Sequence, residues 1–197
     1  MTTVVYYTAS TLNGFLATEE DSLDWLFAVP GADEAASGTS AGFAALMART
    51  GVLVEGSTTY EWVLRHEDLL AQPHRWREFY GDRPTFVFTR RDLPRPAGAD
   101  VRLVSGTVAE HWAEIEAAAV GRDVWVVGGG DLAGQFADAG RLDEIQVSVA
   151  PVTLTSGRPL LPRTITAERL HLREVRQAGQ FAELVYDVRA RPAEGRP

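Results

Sequence analysis

The sequence predicts an α/β domain on a mixed sheet, parallel early and antiparallel late, and three observations carry that reading. Segments rich in β-branched and aromatic residues alternate with segments of helical period, as they do when strands and helices form layers. Val124-Trp125-Val126-Val127 is a short continuous apolar run, expected of a strand covered on both faces near the centre of a sheet. Leu170 to Arg176 and Phe181 to Val188, separated by Ala178-Gly179, read as an antiparallel hairpin, with Ala182, Leu184, Tyr186 and Val188 alternating onto one face.

Taken in order, Thr3 to Ala9 is the first strand, and Gly14 to Ala17 a short extended piece after a turn at Leu12-Asn13-Gly14. A short helix follows from Asp21 through Asp24, Trp25 and Leu26, and Pro30-Gly31 ends it. Ala32 to Thr39 reads as loop. Phe43, Leu46 and Met47 fall at i, i+3 and i+4, which gives the helix Gly42 to Arg49 one apolar face and leads into the buried strand Gly51 to Val54. A helix from Thr58 through Val63 comes next. Pro73 to Pro84 reads as a polar, aromatic-rich connection, then Thr85 to Thr89 and Val101 to Val104 as strands. Thr107 and Glu110 form a T-x-x-E capping box that opens a helix with the core stripe Val108, Trp112, Ile115 and Ala119. After the central strand a helix carries Leu132 and Phe136 on one face, and Glu144 to Val149 is the last strand before the hairpin. Residues 1–190 form one domain, and residues 191–197, with two Pro and a Gly among charges, read as a frayed tail.

Composition narrows the function. With 45% hydrophobic and 23% charged residues the 197-residue chain can bury a large core, which excludes disorder for most of its length. The formal charge of −8 argues against nucleic acid or an anionic membrane as partner, because such binding rests on clustered positive charge. The absence of Cys removes disulfides, thiolate metal sites and Cys nucleophiles. The four His show no ligand spacing, so no metal is expected. No run of about 18 apolar residues and no export signal is visible, which makes the cytoplasm the default location.

Two junctions carry the chemistry. In Val127-Gly128-Gly129-Gly130-Asp131-Leu132-Ala133 an apolar strand stops at glycines that open a helix, where free N–H groups and the positive end of the helix dipole attract an anion. A ligand-free tight turn is the alternative. Val54-Glu55-Gly56-Ser57-Thr58-Thr59 repeats the strand, glycine and helix arrangement, although Ser57, Thr58 or Thr59 could equally cap the helix with no ligand at all. Two such junctions suit a diphosphate. Thr89-Arg90-Arg91 ends a strand with guanidinium groups suited to a phosphate monoester, or forms a solvated polar turn. Asp21 and Asp24 lie on the short helix after the first strand, and either is a candidate proton donor if burial raises its affinity for the proton; Trp25 beside Asp24 is a candidate wall for a flat ring.

In order along the chain, Ser10-Thr11-Leu12-Asn13-Gly14-Phe15-Leu16-Ala17, Gly56-Ser57-Thr58-Thr59-Tyr60-Glu61, Thr89-Arg90-Arg91, Val127-Gly128-Gly129-Gly130, and Leu142-Asp143-Glu144-Ile145 with Ala150-Pro151-Val152 and Gly157-Arg158-Pro159-Leu160 resemble the dihydrofolate reductase-like superfamily. More closely they resemble the family of the C-terminal reductase domain of bacterial riboflavin biosynthesis protein. The resemblance spans nearly the whole chain. It implies a mostly parallel central sheet flanked by helices with an antiparallel C-terminal hairpin, NADPH as cofactor, and a homodimer. By motif, Gly56, Thr58 and Thr59 would hold the diphosphate region, Thr89 and Arg90 the 2′-phosphate, and Gly128, Gly129, Gly130, Asp131, Leu132 and Ala133 the nicotinamide and diphosphate. Ala9 and Gly14 would border the nicotinamide, Asp24 rather than Asp21 would be the proton donor, and Gly128-Gly129 would carry a cis peptide. The activity implied is hydride transfer from NADPH to a small pterin- or pyrimidine-like heterocycle or a related conjugated substrate. The alternatives are a nucleotide-binding or sensor protein without turnover, a ligand-free dimeric scaffold, or a 5-amino-6-ribosylaminouracil-type reductase of riboflavin biosynthesis.

Overall fold

The computed structural model describes residues 2–32 and 41–190. The loop expected beyond Ala32 and the tail at 191–197 lie outside the described residues. Ten strands are present among them: β1 (Val4–Thr11), β2 (Phe15–Ala17), β3 (Thr50–Gly56), β4 (Thr85–Phe88), β5 (Val101–Val104), β6 (Asp123–Gly128), β7 (Glu144–Ala150), β8 (Arg158–Pro159), β9 (Leu170–Ala178) and β10 (Phe181–Val188). The helices are α1 (Asp24–Phe27), α2 (Ala41–Arg49), α3 (Ser57–His66), α4 (His74–Tyr80), α5 (Val108–Ala119) and α6 (Gly130–Asp138).

Eight strands form one sheet in the order β5-β4-β3-β6-β1-β7-β10-β9. The pairs from β5 through to β7 are parallel, while β7–β10 and β10–β9 are antiparallel. β2 and β8 make a separate antiparallel pair. As the unbroken apolar run predicts, β6 is interior, between β3 and β1, with Val124, Trp125 and Val126 all buried.

Alternation along the strands feeds two cores. Val52, Val54, Val124 and Val126 face the helix pair α5 and α6, where Val108, Trp112, Ile115, Ala119, Leu132 and Phe136 close the layer. Leu53, Val87 and Trp125 face the other side, packed on Leu46 of α2, Tyr60 and Leu64 of α3, and Trp76 and Tyr80 of α4. The predicted stripe of α5 is buried in full, and its capping box is made: Thr107 Oγ1 accepts from the Glu110 amide while the Glu110 carboxylate accepts from the Thr107 amide.

Two expectations are corrected here. Pro73 to Pro84 is not a plain connection, because His74–Tyr80 is helical; only Trp76 and Tyr80 of that segment, one turn apart, enter the core, so its polarity hides its period. In β10, Phe181, Glu183 and Val185 are buried and Ala182 is exposed. Both faces of this strand are partly covered: Phe181 packs with Trp25 and Val29, while Tyr186 and Val188 join the α5–α6 core, and the register shift lies at Arg173 of β9, leaving β10 in continuous register with β7.

At the N-terminal ends of the parallel strands, Arg49 pairs with Asp123 at 2.7 Å and Glu144 at 2.5 Å, and Arg173 reaches Glu144 at 2.5 Å. That end is a tied-down ionic seam. The opposite end, where β1, β3 and β6 run out, is open.

Candidate active site

A cavity of about 660 Å³ lies outside the carboxyl ends of β1, β3 and β6, in the range of ligand sites and at the position where open α/β sheets bind ligands. Ala9 from β1, Gly56 to Thr59 from the β3–α3 junction and Gly128 to Leu132 from the β6–α6 junction all line it. The two glycine junctions therefore face one space. They also touch: a methyl group placed on Gly56 would lie 3.7 Å from the Gly129 nitrogen, and one on Gly128 would come within 2.8 Å of Thr59 Oγ1. Gly128-Gly129 is a cis peptide, as the resemblance implies.

Both helices begin without a side-chain cap. The N-cap of α3 is Gly56 and that of α6 is Gly129, and neither has a side chain to accept a hydrogen bond from its helix, unlike the boxed start of α5. The capping alternative for Ser57, Thr58 and Thr59 is thereby removed. First-turn N–H groups at both ends are left for an anion, reinforced by the helix dipoles. Gly129 has nothing within 4 Å of where a Cβ would stand, so its backbone is bare toward the open space. Gly130 is confined instead, since a Cβ there would meet the carbonyl oxygens of Pro159 at 2.3 Å and Leu160 at 2.5 Å. The β8 segment thus packs on the start of α6. The residues present fit a dinucleotide's diphosphate.

A second groove, about 320 Å³, is lined by Thr89, Arg90, Arg91 and Arg95. Arg91 is committed to Glu61 through two bonds, at 3.0 and 2.5 Å, whereas Arg90 has no hydrogen bond or ion pair among the described residues. Arg90 is the guanidinium open to a phosphate.

Asp24 is a correction. It is exposed, does not line the cavity, and begins α1 with its amide donating to Ser22 Oγ. Successive helical residues point about 100° apart, so burying Trp25 turns Asp24 outward. Trp25 does line the cavity, and its indole N–H is buried without a partner among the described residues. Gly14 and Ala133 are corrected too. Gly14, at φ +83°, does not line the cavity and its carbonyl accepts from the Leu160 amide, while Ala133 is buried in α6 with its amide donating to the Gly129 carbonyl. Ala9, Asp131 and Leu132 line the cavity as expected.

Asp21, the other carboxylate offered as a proton donor, does line the cavity, whereas its ion pair, Trp62 and Glu55 escape a reading of the sequence. Asp21 and Arg158 form an ion pair on the wall, Nε to Oδ1 at 2.6 Å. Trp62 lines the cavity from α3 and stacks with Phe27 of α1 at 6.0 Å and with His66 at 4.3 Å, which ties α1 across the opening. Beneath the first junction lies Glu55, fully buried, neither carboxylate oxygen having a partner among the described residues, and burial pushes its pKa from 4.5 up to about 8.

The sheet order, the crossover helices and the paired glycine junctions define a dihydrofolate reductase-like protein. The chain belongs to the family of the RibD C-terminal domain, whose model matches residues 2–182. It is 28% identical over 186 residues to the uncharacterised protein YwjB of Bacillus subtilis (strain 168), spanning 94% of this chain and 97% of that one. Among solved structures it is similar to a candidate riboflavin biosynthesis protein of Shewanella sp. PV-4, with a TM-score of 0.73, 23% identity, and coverage of 95% of this chain and 99% of that one. It is also similar to Acinetobacter baumannii RibD, with a TM-score of 0.66, 18% identity, and coverage of 95% of this chain and 58% of that one.

Proposed function

We propose that this chain is an NADPH-dependent reductase that passes hydride to a small heterocyclic or related conjugated substrate. The observation that carries the reading is the convergence of two uncapped, glycine-initiated helix starts on one cavity. Gly56, Thr58, Thr59, Gly129 and Gly130 would hold the diphosphate through backbone N–H groups and hydroxyls. Thr89 and Arg90 would take the 2′-phosphate, and Ala9 and Leu132 would flank the nicotinamide. When bound, the reduced nicotinamide supplies the hydride.

The protein's own part is positioning and exclusion of water. Trp25, Leu26 and Trp62 give the cavity flat apolar walls against which a conjugated ring can be oriented. Both carboxylates that line it, Asp21 and Asp131, are ion-paired, so the proton that completes reduction would come from solvent and not from Asp24. Leu172 and Val175, exposed on the edge strand β9, are the surface we assign to a homodimer.

Thermal unfolding with NADPH, NADH or neither tests the reading. Ligand at 100 times its Kd should add about 2.7 kcal/mol, or roughly 5–10 °C for a domain of this size. No shift with either nucleotide rejects the reductase. A shift without loss of reduced-nicotinamide absorbance across pterins, pyrimidines and quinones would favour a sensor on the same fold.

A further inference from the structure

Three charged side chains line the cavity among the described residues, Asp21, Asp131 and Arg158, and the only cation of the three is already engaged. Arg158 donates to both Asp21 oxygens, at 2.6 and 3.3 Å, and to the Glu19 carbonyl at 2.8 Å. Glu19 and Glu20 stand close enough to add their field to that of Asp21. Asp131 is held by Arg163 at 3.1 Å, an arginine it shares with Asp138 at 2.7 Å. The remaining wall on the α1 side is apolar, built from Ala17, Leu23, Trp25, Leu26 and Trp62. Phosphates of the nucleotide have their own holders in the helix starts and Arg90. Among the described residues nothing comparable is left over for a phosphate on the substrate.

From this we infer that the cavity takes an uncharged, planar substrate and discriminates against a phosphorylated one, with the closed Asp21–Arg158 pair as the selector. The inference rests on the reductase reading above and names its substrate class. A phosphate monoester brings about −1.5 to −2 charges near neutral pH. Entering this cavity it would meet two carboxylates against one guanidinium, and to recruit Arg158 it would have to break a two-point ion pair.

The test uses two ligands that differ by one phosphate, 5-amino-6-(5-phosphoribosylamino)uracil and its dephosphorylated form, titrated calorimetrically into the NADP⁺-loaded protein. The dephosphorylated compound should bind at least about tenfold more tightly, the scale of one charge-assisted contact. Asp21→Asn should move the affinity ratio toward the phosphorylated compound by about tenfold or more, because Arg158 is then released. Asn suits the backbone at this position, where φ is +63°. Tighter binding of the phosphorylated compound by the wild-type chain overturns the inference, as does a ratio that Asp21→Asn leaves in place. Binding of neither compound to either protein rejects the pair as selector. Failure of NADP⁺ to bind is seen before either uracil is added; it strikes the reductase reading itself and takes the substrate assignment with it.

Discussion

Glu55 is the side chain whose chemistry is most at odds with its surroundings, and its behaviour on titration can be worked out from its position. It lies at the C-terminal end of β3, on the face packed by Tyr60 and Tyr80, with no exposure and, among the described residues, no partner for either oxygen. Burial raises its pKa from 4.5 to about 8. Between those two values the folded chain keeps the proton and the unfolded chain has released it, so stability falls as pH rises through that window and levels off above about pH 8. At about 1.36 kcal/mol per unit, the shift corresponds to roughly 5 kcal/mol across the whole window, and roughly 3 kcal/mol by pH 7. Glu55→Gln keeps the shape and cannot ionise. Urea unfolding of both chains at pH 5, 7 and 9 isolates the effect, since every other titrating group is shared. The variant should match the wild type to within about 1–2 kcal/mol at pH 5 and exceed it by several kcal/mol at pH 9. A difference between the two chains that does not grow with pH would refute the reasoning and mean that a water or a moved side chain solvates the carboxylate.

Other consequences are open to direct measurement. Arg90→Ala should weaken NADPH by about 10- to 100-fold and leave NADH nearly untouched, as loss of a charge-assisted bond to a 2′-phosphate requires; equal losses, read by fluorescence titration, would remove that assignment. Gly130→Ala drives a methyl against two carbonyl oxygens of the β8 segment and should cost about 1–3 kcal/mol, seen as a melting point lower by roughly 2–12 °C. Asp24→Ala should leave kcat and KM within about twofold, because the side chain points away from the cavity and surface changes of this kind are small; a large fall in kcat would restore it as the proton donor.

What could be read in advance follows a physical division. The strands and the α5 stripe were legible because burial imposes a period on adjacent residues, and Val108, Trp112, Ile115 and Ala119 obey it. The segment His74–Tyr80 was not, since its two buried rings sit among five polar or exposed neighbours and their spacing alone is a weak signal. Asp24 was misplaced by a single position, and on a helix one position is the difference between cavity wall and solvent.

The same division runs through the cavity. The end proposed to hold the nucleotide is made of backbone, and backbone that must come close to a ligand or to another loop demands glycine, so Gly56, Gly128, Gly129 and Gly130 mark themselves in the sequence. The end proposed for the substrate is made of side chains from distant segments: Asp21 and Arg158 are 137 residues apart, and no spacing rule connects them. Residues that share a cofactor-holding backbone can therefore differ in the wall opposite it with no change in the glycine motifs. For this reason the family resemblance speaks to the nucleotide, whereas the charge balance around Arg158 is where the identity of the substrate has to be sought.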